Sequence, residues 1–178
     1  MMFDRVHRHC RCLLVGLILM VCHTGAQAAG VMTGFSPGGT AQQVVLTAIG
    51  SAQVSIDMAA YSFTSKPVAT ALLAAQRLGV RVRVVADRKA NSKYSAVTFL
   101  ANQGVPVRLN DRYAAMHHKF MVIDNCSVQV GSYNYSVSAH ARNAENALWL
   151  QDVPLVAADF SREFARLWYE GEPVLRRY

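Results

Sequence analysis

A chain of 178 residues is long enough for one domain with a real core and too short for two ordinary ones. Its 52% hydrophobic and 16% charged content excludes a disordered polymer. The formal net charge of +7 suits an anionic partner, either nucleic acid or a lipid headgroup, without choosing between them.

The N-terminus reads as a targeting segment. Arg5, Arg8 and Arg11 stand against a single Asp4, an apolar run "LLVGLILMVC" (13–22) follows, and then small residues "HTGAQAAG" (23–30). This is the three-part pattern of a secretory signal peptide, with Ala26-Gln27-Ala28 as the cleavage site. Ten apolar residues are too few to span a bilayer. The expectation is removal of residues 1–28, a periplasmic or secreted location, and a single catalytic domain over 29–178. Loss of three basic residues and one acidic residue lowers the net charge by two, from +7 to +5. Cys10, Cys12 and Cys22 leave with the segment, so Cys126 remains alone, without an intrachain disulfide or a cysteine metal cluster. It reads as a small apolar filler.

After a short lead containing Ser36-Pro37-Gly38-Gly39, the pattern predicts a helix over 40–49 that stops at Gly50. A strand is expected over 54–63. Thr64 or Ser65 then caps a helix with Pro67 in its first turn and Gly79 at its end. Residues 80–87 form the next strand, 95–103 a helix ending at Gly104, and 105–109 a short strand. The stretch 117–136 comes next, then a polar loop "SAHARNAEN" (138–146), a strand "ALWL" (147–150) and an amphipathic helix over 154–169. Alternating strands and helices define an α/β class, with helices covering both faces of the sheet. There is no internal repeat.

The stretch "HHKFMVIDNCSVQVGSYNYS" (117–136) concentrates polar groups around an apolar strand. Strand side chains alternate, so His117, Lys119, Met121 and Ile123 share one face, and His118, Phe120 and Val122 the other. The adjacent histidines therefore cannot do the same job. Folded as a hairpin with Asn125-Cys126 as the two turn residues, the segment puts His117 opposite Asn134 and Lys119 opposite Ser132. Phe120 falls opposite Gly131, whose missing side chain would let a ligand approach the backbone. The patch offers Lys119, Ser132 and Asn134 as donors for a phosphate oxygen, and His117 as a group that titrates near neutrality. No carboxylate pair or histidine cluster is placed to hold a metal, and no cofactor is implied. A histidine among phosphate donors can attack phosphorus and form a phosphohistidine that water resolves. Its other ring nitrogen needs an acceptor, for which Glu145 is the candidate.

His117, Lys119, Asp124, Gly131, Ser132 and Asn134 spell H-x-K-x4-D-x6-G-S-x-N. This resembles the HKD signature of the phospholipase D superfamily. The stretches at 31–65 and "NAENA" (143–147) extend the resemblance to its small, single-motif, EDTA-resistant bacterial endonucleases, over residues 31–172. The resemblance implies a phospholipase D-like fold with a central mixed sheet and helices on both faces. It implies two motifs at one site, one histidine as nucleophile and the other as acid and then base. One motif per chain then implies a homodimer. Lys119 and Asn134 from each chain would bind phosphoryl oxygens, Ser132 would support by hydrogen bonding, and Glu145 would orient His117. Asp124 and Gly131 would be structural, and His118 would matter little.

The implied function is a metal-independent phosphodiesterase, an endonuclease acting on DNA or RNA. Hydrolysis of an anionic phospholipid by the same groups is the alternative, and a silent nucleic-acid-binding dimer the third reading. Tyr133, Tyr135 and Trp149 either stack on bases or pack in the core, with Trp149 assigned to the core. Arg81, Arg83, Arg88, Lys89 and Lys93 form either a backbone-binding rim or a solvated charged face.

Overall fold

The computed structural model describes residues 29–91 and 95–176; the segment 1–28 and Lys93 lie outside it. Thirteen elements follow in chain order: β1 (Val31–Ser36), α1 (Thr40–Ser51), β2 (Ser55–Ala60), α2 (Lys66–Arg77), β3 (Arg81–Asp87), α3 (Ala96–Asn102), β4 (Val107–Asn110), β5 (Lys119–Ile123), β6 (Ser127–Gly131), α4 (Val137–Ala141), β7 (Glu145–Leu150), α5 (Pro154–Glu170) and β8 (Glu172–Pro173).

All eight strands join one mixed sheet in the order β1-β7-β6-β5-β2-β3-β4-β8. β2, β3 and β4 run parallel, because helical crossovers separate them; the other neighbours are antiparallel. The β2 and β5 side chains are buried throughout, as central strands covered on both faces require. Met58, Val84, Met121 and Ile123 pack with Val45, Leu72 and Leu100 of α1, α2 and α3. Ala59, Val85, Phe120 and Val122 pack with Phe164 and Leu167 of α5. The two-residue alternation of each strand thus divides its side chains between two helical layers, the α/β arrangement with helices on both faces.

Local signals place the helix ends. The Ser65 hydroxyl accepts from Val68 N at 3.4 Å, Pro67 sits in the first turn of α2, and Gly79 follows its end with φ +96°. α1 runs through Gly50 to Ser51, one residue past the predicted stop. β1, expected as irregular lead, is an edge strand paired to β7 along its whole length. The predicted loop 138–146 contains the short helix α4, capped by the Ser136 hydroxyl, and the first two residues of β7.

The β5–β6 turn is centred one residue earlier than expected. Asp124 and Asn125 have φ of 53° and 55°, a left-handed conformation these two residue types tolerate, and Cys126 N donates to Ile123 O at 3.1 Å. Cys126 becomes an extra residue, so Ile123 pairs with Ser127 and Phe120 with Val130, not with Gly131. The register is shifted by one residue from the expected hairpin.

Candidate active site

His117, Lys119, Gly131, Ser132, Asn134 and Glu145 line one open hollow of about 360 Å³ at the ends of β5, β6 and β7. The register shift does not disperse them, because the chain leaves the sheet at Gly131 and carries Ser132 and Asn134 across the strand end. A Cβ on Gly131 would lie 2.3 Å from Asn146 O and 2.9 Å from Asn146 Oδ1. The missing side chain therefore admits the β7 backbone, and not a ligand as first expected.

Lys119 is buried, and its ammonium donates to His117 O at 2.8 Å and lies 3.0 Å from His117 Nδ1. Burial lowers its pKa, and the Glu145 charge partly opposes that shift. The Tyr61 ring lies 4.4 Å from the His117 ring and 5.0 Å from Lys119 Nζ, so one aromatic face backs both groups. An ammonium has no acceptor, so its bond to Nδ1 keeps the imidazole proton on Nε2. Nε2 makes no hydrogen bond among the described residues and belongs to an exposed ring. In this pose the ring is neutral and offers Nε2–H as a hydrogen-bond donor.

The hydrogen bonds correct two expectations. Glu145 does not bond His117; its carboxylate accepts from Ser132 Oγ at 2.6 Å and Asn143 Nδ2 at 2.9 Å. The Ser132 hydroxyl is thereby committed, since it also accepts from Asn146 N at 3.1 Å. It braces β7 and is no free phosphate donor. Asn134 differs: its carboxamide is unpartnered among the described residues, and its Oδ1 is buried. Its N–H donors are available.

The other end of β5 is saturated. The Asp124 carboxylate accepts from Gln53 N, Val54 N and Ser55 N at 2.9, 2.7 and 2.8 Å, tying the turn to the entry of β2. His118 lies on the α5 face, with Nε2 3.1 Å from Glu163 Oε1. The two histidines point apart.

Sequence reasoning missed three supports. Tyr61 closes β2 beside His117, with Tyr61 N donating to His118 O at 2.8 Å. Asp87, at the end of β3, accepts from Met116 N at 2.8 Å and so fixes the residue before His117. Asn91 bridges Tyr61 O, Asp87 O and Phe63 N at 2.6, 2.7 and 2.9 Å. Their only advance signal was a polar residue at the end of an apolar strand.

Of the five basic residues read as either a rim or a solvated face, the four described ones are held by partners within the chain, and Lys93 lies outside the described residues. Asp57 holds Arg81 and Arg83 on the α5 face, and Arg83 lies 5.0 Å over the Phe164 ring. Arg88 pairs with Asp111 and Glu172, and Lys89 donates to Tyr113 O. Tyr133 and Tyr135 are fully buried and Trp149 nearly so, which assigns all three to the core. Burial, with help from the Glu145 charge, pushes the Tyr133 hydroxyl up to about 12. Among the described residues, no group of three or more His, Cys, Asp or Glu is arranged to hold a metal.

Residues 45–168 match the family model described as cardiolipin synthase, PLD-like domain. The chain belongs to the phospholipase D superfamily. A solved structure, the phospholipase D family member Nuc from Salmonella typhimurium, superposes with a TM-score of 0.81 at 36% identity. That match covers 83% of this chain and 99% of Nuc. A mitochondrial cardiolipin hydrolase from Xenopus laevis is 40% identical over 68% of this chain, and a phospholipase D from Rickettsia prowazekii 33% identical over 78%. The chain spans 58% of the length of the Xenopus protein and 68% of the Rickettsia one. This superfamily member accordingly has the phospholipase D-like fold.

Proposed function

We propose that the chain is an exported endonuclease that cleaves nucleic-acid phosphodiesters through a phosphohistidine, at a site completed by a second copy. The observation that carries this reading is the His117–Lys119 arrangement. One chain supplies a histidine whose Nε2 carries a proton, an ammonium, and a carboxamide with free donors. That set can donate to a phosphate but lacks the nucleophile, and its neutral ring becomes an acid only once Nδ1 also carries a proton. A second His117 related by two-fold symmetry supplies one, provided its Nδ1–H meets an acceptor and its Nε2 is bare.

The second copy's His117 Nε2 attacks phosphorus and forms a P–N bond while the P–O ester bond breaks. The departing alkoxide takes the proton from Nε2 of the other His117, which enters the step as an imidazolium and leaves it as a neutral ring. That nitrogen then accepts a proton from water, whose oxygen attacks phosphorus and breaks the P–N bond. Lys119 and Asn134 hold the charge that builds on the phosphoryl oxygens.

Net positive charge and the likeness to Nuc support nucleic acid as substrate. The names of the curated relatives, cardiolipin hydrolase and phospholipase D, support the second reading, phospholipid cleavage by the same groups. The experiment is digestion of plasmid DNA by residues 29–178 in excess EDTA, beside His117→Ala. Cleavage by the first protein alone supports a histidine nuclease that needs no metal; cleavage abolished by EDTA overturns it. Mixing wild type with His117→Ala tests the shared site: activity falls as the square of the wild-type fraction if both histidines are needed. A linear fall would mean that each chain works alone. Export is tested by N-terminal sequencing of the protein recovered outside the cytoplasm, with Ala29 expected first.

A further inference from the structure

A second hollow, of about 380 Å³, lies beside the active site between the N-terminal ends of α2 and α3. The two are joined through one residue. Tyr135 O, next to Asn134, accepts from both Thr64 N and Ser65 N at 2.9 Å, and Thr64 lines the hollow. The Phe99 ring forms part of its wall and is 45% exposed, unusual for a phenylalanine on a helix whose other large apolar residues are covered. Ser95 is 5% exposed, lines the same hollow, and its hydroxyl has no hydrogen-bond partner among the described residues. Thr64 and Thr70 add two more hydroxyls, and Lys66, at the first position of α2, adds an ammonium to the positive end of that helix.

We propose that this hollow receives a nucleobase of the strand being cleaved, close to the scissile phosphate, with the base stacked on Phe99. The inference rests on the nuclease reading of the neighbouring site. Every nucleobase has a face for an aromatic ring and an edge of donors and acceptors for hydroxyls. Ser95 meets the base edge and satisfies an otherwise orphaned buried oxygen. Lys66 and the α2 terminus meet the adjacent phosphate. An acyl chain fits the same walls less well, since it would leave the buried Ser95 hydroxyl without a partner.

The test is a cycle between protein and substrate. Oligothymidylates carrying one abasic residue, stepped along either side of the cut bond, are cleaved by wild type, Phe99→Ala and Ser95→Ala. At one position, loss of the base costs wild type about tenfold in kcat/KM, while Phe99→Ala is nearly indifferent to the same loss. Ser95→Ala gives a smaller coupling at the same position. A general packing fault would lower all rates without coupling to one position. Additive effects at every position overturn the subsite and leave the nuclease reading standing. Hydrolysis of bis(p-nitrophenyl) phosphate or cardiolipin vesicles by wild type, with every oligonucleotide left intact, overturns both.

Discussion

The two ends of the β5–β6 hairpin hold the same short motif and treat their polar groups in opposite ways. At the Asp124 end, the carboxylate is filled by three backbone N–H groups and has a fixed neighbour for each oxygen. At the His117 end, an imidazole Nε2 and a whole carboxamide are left without partners in the described chain. Saturated polar groups brace a fold, whereas unspent donors beside a buried ammonium are what a substrate can use. The motif is therefore a structural clamp at one end and a reaction centre at the other, joined by five buried residues.

Substitutions should separate the two ends. At the open end, His117→Ala is expected to lower kcat by about 10⁴-fold or more with an unchanged thermal unfolding midpoint, read from turnover and calorimetry. At the saturated end, Asp124→Ala should do the reverse. It removes a charged acceptor from three backbone donors and should cost about 3 kcal/mol in urea unfolding, with kcat per folded molecule preserved. A large loss of kcat in well-folded Asp124→Ala would dissolve the distinction.

Glu145→Gln sharpens the open end. The Glu145 charge raises the Lys119 pKa against the burial that lowers it, so its removal lets that pKa fall further. Activity that needs the ammonium is then lost at lower pH. The alkaline limb of the kcat/KM profile is expected to move toward neutrality, by direct pH titration of the rate. A shift to higher pH would mean that the carboxylate acts on another group. The smallest effect belongs to His118→Gln, which sits on the α5 face beside Glu163. Its rate should stay within about twofold of wild type, and Glu163 keeps Arg166 as a partner.

The division between His117 and His118 was legible because strand side chains alternate whatever the register, and β5 is buried on both faces. The turn was not, since Asp124-Asn125 and Asn125-Cys126 both read as polar pairs, and only the backbone angles distinguish them. β1 escaped notice because it buries only Gly34 and Ser36, so it carries no apolar alternation. Glu145 and Ser132 were recognised as site residues, but their mutual bond was not, because it depends on how β6 and β7 meet. Asn91 reaches Tyr61 across 30 residues of chain and Asp87 reaches Met116 across 29, and Tyr61 meets His118 from farther still, distances no local pattern covers.

β1 also has a consequence in time. It is the first of the described strands to leave the ribosome, and its partner β7 lies about 110 to 120 residues later. The sheet can begin to assemble from β2 and β3, yet its outer border closes only when nearly the whole chain has been made. Until then β1 has a bare row of amides, and another molecule's strand can take the place that β7 is meant to fill. Shortening the chain by residues 29–36 would instead leave the edge of β7 bare permanently.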